Sequence, residues 1–199
     1  MHDHQWHSLG VVELEQLLQE VPVRWWLSGG WAIDEFAAAG QPTRDHGDID
    51  VSVPRPEWRT LWRALSDRFE LRVADSGRLD RPAPEHANPD IWNIWARELT
   101  GGPWVMQINV EETNGDRWVY RREPRISRPI SDVRYRSART FYGAPAVQLL
   151  YKAKAPLPKD EHDWAITVPK LPATEYAWLT NAIATAHPQS RWATRLDQN

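Results

Sequence analysis

The sequence predicts an α+β fold that closes with a C-terminal helical segment, and three observations carry the prediction. Apolar and polar residues alternate through Asp48-Ile49-Asp50-Val51-Ser52-Val53 and again through Met106-Gln107-Ile108-Asn109-Val110-Glu111, the period of a half-buried strand. Elsewhere apolar residues recur at helical spacing, as Val12, Leu14, Leu17 and Leu18 do, and likewise Trp58, Leu61, Trp62 and Leu65. From Pro145 onward the pattern turns helical.

In chain order, a first helix is expected over residues 9–20. Arg24-Trp25-Trp26-Leu27 reads as a short buried strand, broken by Gly29-Gly30 before the helix formers of Trp31-Ala32-Ile33-Asp34-Glu35-Phe36-Ala37-Ala38. The Asp-x-Asp strand ends at Pro54 and Pro56, and residues 57–69 read as a helix. Short strands are expected at 70–75 and 91–96, separated by a polar, proline-containing loop at 80–85. Strands near 104–111 and 117–121 are expected to form a hairpin around Asn114-Gly115-Asp116. A core over residues 1–143 then gives way to a helical segment, 144–199, with Val147, Leu149, Leu150 and Tyr151 packed, a break at Pro156 and Pro158, and later helices at 173–186 and 190–196.

The strand reading of residues 48–53 places Asp48 and Asp50 on one face, roughly 6.6 Å apart along the backbone. Two carboxylates so placed can bridge toward one or two hard cations such as Mg²⁺. Alone, the pair would equally suit a solvated strand edge. Upstream, however, strand, small-residue turn and helix N-terminus follow one another at Leu27-Ser28-Gly29-Gly30-Trp31. That arrangement lets a phosphate approach backbone N–H groups without meeting a Cβ, with the helix dipole favouring it and Ser28 offering a hydroxyl.

Leu27-Ser28-Gly29-Gly30-Trp31-Ala32-Ile33-Asp34, with Thr43-Arg44-Asp45-His46-Gly47-Asp48-Ile49-Asp50-Val51, resembles the nucleotidyltransferase superfamily with a polymerase-β-type catalytic core, in particular its aminoglycoside and lincosamide nucleotidyltransferase branch. A second stretch, Leu149-Leu150-Tyr151-Lys152-Ala153-Lys154 through Lys159-Asp160-Glu161-His162-Asp163, resembles the lysine-rich helical segment that follows the core in related bacterial proteins. The resemblance implies a small mixed sheet with flanking helices, Mg²⁺ held by Asp48 and Asp50, and a nucleoside triphosphate whose phosphates lie against Ser28 and Gly29, with Gly30 in the same turn. Arg44 and His46 are candidates to contact phosphate or to order the loop. Lys152 and Lys159 are candidates to direct an ammonium group at the triphosphate, the alternative being local pairing with Asp160 or Asp163.

Such enzymes usually carry a third carboxylate on a neighbouring strand, and alignment puts Gln107 at that position. Glutamine cannot act as a general base, and its carbonyl is a weaker metal ligand than a carboxylate. Glu111 is on the same predicted face but roughly 13 Å further along the strand. Either the alignment slips, or another acid such as Glu112 or Asp90 reaches the site, or the protein binds nucleotide and transfers it poorly.

Composition sets outer bounds. With 199 residues, 41% hydrophobic and 26% charged, the chain is expected to form a soluble globular unit. The sequence shows neither a membrane-length apolar run nor a signal-type stretch after Met1, so a cytoplasmic location is expected. Zero cysteines exclude disulfides and cysteine-ligated metals, and His2, His4 and His7 read as part of a polar terminus. A net charge of −3 argues against broad nucleic-acid binding and would suit a cationic drug, while Arg117, Arg121, Arg122, Arg125 and Arg128 leave room for a local basic groove. Trp92, Trp95 and Trp104, among 13 tryptophans, are candidates for a stacking wall. The expected activity is transfer of a nucleoside monophosphate to an acceptor hydroxyl, on an aminoglycoside-like or lincosamide-like molecule. The alternatives are a nucleotidyltransferase toxin acting on RNA and a noncatalytic nucleotide-binding protein.

Overall fold

The computed structural model describes residues 5–75, 78–80 and 91–196. Its elements run α1 (Val11–Leu18), β1 (Trp26–Ser28), α2 (Gly29–Ala37), β2 (Asp50–Pro54), α3 (Trp58–Leu65), β3 (Phe69–Asp75), β4 (Arg78–Asp80), β5 (Asn93–Glu98) and β6 (Trp104–Glu111). They continue with β7 (Thr113–Asn114), β8 (Arg117–Val119), β9 (Ser127–Pro129), β10 (Arg134–Arg136), β11 (Phe141–Gly143), α4 (Pro145–Lys152), α5 (Pro158–Thr167), α6 (Ala173–Ala186) and α7 (Arg191–Leu196). An eight-stranded mixed sheet in the order β10-β11-β1-β2-β6-β5-β3-β4 lies at the centre, with β7-β8-β9 as a small antiparallel sheet beside it. The architecture is therefore α+β, a central sheet with flanking helices.

The strand alternation decides which face is greasy. Ile49, Val51 and Val53 are fully buried on one side of β2. They join Ile108 and Val110 of β6 and the inward stripes of α1 and α3 in one apolar cluster. Trp58, Leu61, Trp62 and Leu65 all lie in it, as the helical spacing requires, though the helix stops at Leu65 and Phe69 already opens β3. On the opposite side a second cluster gathers Trp26, Ile33, Trp118 and Tyr120 with Val147, Leu149 and Leu150 of α4 and Leu179, Ile183 and Trp192 beyond it. This second core runs across residue 143, so the C-terminal helices share one interior with the small sheet and α2.

The expected hairpin needs correction. The Asn114-Gly115-Asp116 turn does make a hairpin, with Gly115 at φ 59°, but β8 pairs with the two-residue β7 and not with β6, whose neighbours are β2 and β5. The edges of β6 are already filled, so the hairpin folds away as a separate sheet. The ladder also gains β10 and β11 from an arginine-rich stretch that carries no long apolar alternation, with β11 parallel to β1 at Leu27 and Tyr142. The loop at 80–85 and Asp90 lie outside the described residues except for Asp80, which ends β4.

An ionic clamp ties the segment before β2 to the C-terminal helices. Asp163 of α5 has no exposed side-chain surface and receives Arg44 Nε at 2.8 Å and Arg44 Nη2 at 2.9 Å, with Lys152 Nζ at 2.9 Å. Burial pushes this carboxyl up, but the Arg44 hydrogen bonds and the Lys152 charge outweigh it and hold the pKa below its ordinary value. Replacing Asp163 by Asn strips Arg44 of its carboxylate partner, leaves Lys152 with Asp160 alone, and is expected to cost about 3–5 kcal/mol. Urea unfolding at pH 7 measures it. Because the folded-state pKa is depressed, the difference between wild type and variant shrinks as pH falls below the ordinary aspartate pKa of 3.8 toward the folded value.

Candidate active site

The polar face of β2 and β6 forms the floor of a cavity of about 310 Å³, within the range of small-ligand sites. Its lining includes Ser28, Gly29, Asp50, Ser52, Gln107, Asn109, Glu111, Gln148 and Lys152, with Trp92, Arg121 and Arg122. Parallel pairing sets Asp50 beside Gln107 and Ser52 beside Asn109, while antiparallel pairing sets Ser28 beside Asp50. Residues from three separate stretches of chain therefore meet at one carboxylate. Asp48 falls just before the strand begins and is only partly buried.

Gly29 is what admits that carboxylate. Its φ is +65°, and a Cβ there would stand 2.3 Å from Asp50 Oδ2. Gly30 serves different neighbours, since a Cβ there would meet Arg44 Nη2 at 2.3 Å and the His46 ring at 2.6 Å. The Gly29 N–H, a donor the turn would offer to a phosphate, donates to Gln148 Oε1 at 2.8 Å. Gln148 was not legible as a site residue, because its only signal is a polar side chain within an apolar helix pattern. Ser28 is 3% exposed, and its hydroxyl joins the floor network with Ser52 at 3.1 Å and Asn109 at 3.5 Å.

Gln107 stands where the resemblance places a third carboxylate, directly beside Asp50. The donor-only indole N–H of Trp95 donates to Gln107 Oε1 at 2.8 Å, which fixes the amide's orientation. Gln107 Nε2 then donates to Asp50 Oδ1 at 2.8 Å, and Asn109 Nδ2 adds a second donor at 3.2 Å. Position 107 thus presents N–H groups to the Asp50 carboxylate, not the carbonyl a cation would bind. Glu111 is no substitute. Its Oε1 accepts from Ser52 at 2.9 Å, and its Oε2 from Trp118 Nε1 at 2.9 Å and from Tyr151 Oη at 2.6 Å. Burial, then the Glu111 charge, pushes the Tyr151 phenol well above its ordinary pKa, so it stays a donor. Glu112 is held by Arg55 at 2.7 Å and does not line the cavity.

The cationic candidates separate. Lys152 lines the cavity, anchored by Asp160 at 2.7 Å and Asp163 at 2.9 Å, and its charge bears on Asp50. Lys159 is exposed on α5 and does not line the cavity, a correction to its pairing with Lys152. Arg44 is engaged by Asp163, and His46 packs between the Trp31 ring, with centroids 4.4 Å apart, and buried Asp34 at 2.6 Å. Both order the loop that leads into β2. Of the tryptophan wall, Trp92 lines the cavity, but Arg55 and Arg121 already sit over its ring at 4.3 and 4.9 Å. Trp95 and Trp104 pack edge to face away from it. Of the arginine cluster, Arg121 and Arg122 reach the cavity, whereas Arg125 and Arg128 pair with Glu123 and Glu175, and Arg117 with Ser127.

The residues fit a divalent cation as far as they go. Burial, then the neighbouring Asp48 charge, raises the Asp50 carboxyl to about 6, and a cation would relieve both effects. Asp50 Oδ2 faces the Gly29 turn and receives no protein donor among the described residues. No cluster of three or more potential ligands exists among the described residues, and Asp48 and Asp50 are the carboxylates that could hold a cation here.

The central mixed sheet with flanking helices recurs in known proteins. Residues 10–79 match the aminoglycoside-2''-adenylyltransferase family model. A lincosamide resistance protein of Staphylococcus haemolyticus is 30% identical over 49% of this chain and 66% of its own length, just under two thirds. Among solved structures, ANT(2'')-Ia in complex with adenylyl-2''-tobramycin superposes with a TM-score of 0.56 at 17% identity, covering 87% of this chain and 97% of that one. Lincomycin-bound lincosamide antibiotic adenylyltransferase LnuA gives 0.54 at 17%, covering 78% and 92%. The chain is thus similar to aminoglycoside and lincosamide adenylyltransferases over part of its sequence and shares the fold of the two solved structures.

The raised Asp50 pKa has a measurable sign. The folded state favours the protonated acid, so the metal-free protein loses stability as pH rises from 3.8 toward about 6. Asp50→Asn is expected to remove that loss. It should raise the melting temperature of metal-free protein at pH 7.5 and leave it nearly unchanged at pH 3.5, as read by calorimetric melting.

Proposed function

We propose that the chain is an enzyme that transfers a nucleoside monophosphate from a nucleoside triphosphate to a hydroxyl of a small acceptor, with Mg²⁺ held by Asp48 and Asp50. The observation that carries the reading is the meeting of the Gly29 turn and Asp50 on the floor of one cavity. Bound there, the cation would neutralise charge on the triphosphate and on the leaving pyrophosphate. The chain's own residues hold the rest. Gln107 and Asn109 fix the Asp50 carboxylate from one side, Lys152 adds positive potential at the same floor, and Gln148 holds the turn open. The family match, together with the named antibiotics of the structural relatives, supports a small hydroxylated acceptor over RNA.

Binding is testable first. Calorimetry with each ribonucleoside triphosphate is expected to show Mg²⁺-dependent binding to wild type, abolished in the Asp48→Asn, Asp50→Asn double variant. No binding by folded wild type would overturn the reading.

A second reading, nucleotide binding with little turnover, is favoured by one specific contact, the Gln107 amide donating to Asp50. On this reading Gln107→Asp supplies the missing carboxylate. It is expected to tighten Mg²⁺ binding and raise pyrophosphate release by at least tenfold, whereas an unchanged or lower rate would show that wild type already has its full complement of catalytic groups.

A further inference from the structure

The two ends of the cavity differ in charge. Asp50 and Gln107 mark the start of the paired segments of β2 and β6, and Glu111 closes β6 four residues further on, roughly 13 Å away. Trp92 belongs to the far end, since its carbonyl accepts from Val110 N at 2.8 Å. Arg121 rests on the Trp92 ring, and Arg122 donates to the Tyr120 hydroxyl at 3.1 Å and the Tyr151 carbonyl at 3.0 Å. Neither guanidinium has a carboxylate partner among the described residues, whereas Arg44, Arg55, Arg97 and Arg128 each do. The one carboxylate lining this end among the described residues, Glu111, points its oxygens at three neutral donors, Ser52, Trp118 and Tyr151, and pairs with neither guanidinium.

A cavity end that sets two guanidiniums against one carboxylate among the described residues disfavours a polycation and suits a planar oxyanion, which arginine grips bidentately. We propose that the acceptor is a small hydroxylated molecule that also carries an oxyanion, a phosphate monoester or carboxylate, held by Arg121 and Arg122 while its hydroxyl faces the donor near Asp50. The inference rests on the nucleotidyl-transfer reading and narrows its acceptor. In the reaction the acceptor oxygen forms a bond to the α-phosphorus, the α–β phosphoanhydride bond breaks, and pyrophosphate leaves with the electron pair. The hydroxyl proton passes to water, because Gln107 cannot take it and Glu111 lies roughly 13 Å along the strand from Asp50, engaged by Ser52, Trp118 and Tyr151.

Inorganic phosphate is the probe, titrated into protein loaded with Mg²⁺ and a nonhydrolysable analogue of the nucleotide that binds. Arginine Nε–Hε NMR signals report on the guanidiniums directly. The expected result is that phosphate shifts the Arg121 and Arg122 signals, and that the Arg121→Gln, Arg122→Gln double variant binds phosphate at least tenfold more weakly. Its nucleotide affinity, which also shows that it folds, should change less than twofold. A tenfold loss of nucleotide affinity would overturn the proposal by assigning these residues to the donor triphosphate. So would equal phosphate binding by wild type and variant, or tighter binding of tobramycin than of phosphate. Failure of wild type to bind any nucleotide would instead remove the transfer reading itself, an outcome that the Mg²⁺ calorimetry reads separately.

Discussion

Asp50 can lie on the cavity floor only because the residue that follows its partner across the strand pair has no Cβ. With Ser28 opposite Asp50 in the β1–β2 ladder, the next residue must turn out of the sheet immediately, and its φ of +65° sends the chain into α2. Any side chain at Gly29 would occupy the space of Asp50 Oδ2. One missing methyl group thus fixes the position of the acid, the start of the helix and the opening of the cavity together.

Around this contact the protein spends its polar groups in layers. The Asp50 carboxylate is held by two amides, and the amide beside it is itself locked by an indole N–H. Lys152 is kept near the floor by two aspartates that neutralise most of what its burial would cost, and one of them also binds Arg44. The same buried carboxylate therefore orders the segment before β2 and the cation from α4. Loop, helix and cavity floor are thereby tied together.

Replacing a carboxylate by glutamine at position 107 changes the electrostatics in a definite direction. A third acid would add repulsion to a pair in which Asp50 is already raised to about 6, tolerable only when a cation is bound. The amide instead donates to Asp50 and partly offsets its desolvation. The site gains order without metal and gives up a proton acceptor.

Much of this was legible in the chain. The alternation at residues 48–53 and 106–111 determined which side chains face the core, and the Gly29-Gly30 break determined where β1 must yield to a helix, because both follow from local backbone geometry. Pairing partners were not legible. That β6 has both edges filled, that β8 turns instead to β7, and that β11 runs beside β1 depend on contacts between segments far apart in sequence. The same holds for the charges. Sequence alone offered both Lys152 and Lys159 as candidates for a triphosphate, with local pairing as the alternative, and left Arg44 between contacting a phosphate and ordering the loop. Tertiary packing pointed Lys152 inward, left Lys159 in solvent and enclosed Arg44 with Asp163. Periodicity decides which face a side chain takes; only the folded chain decides what it finds there.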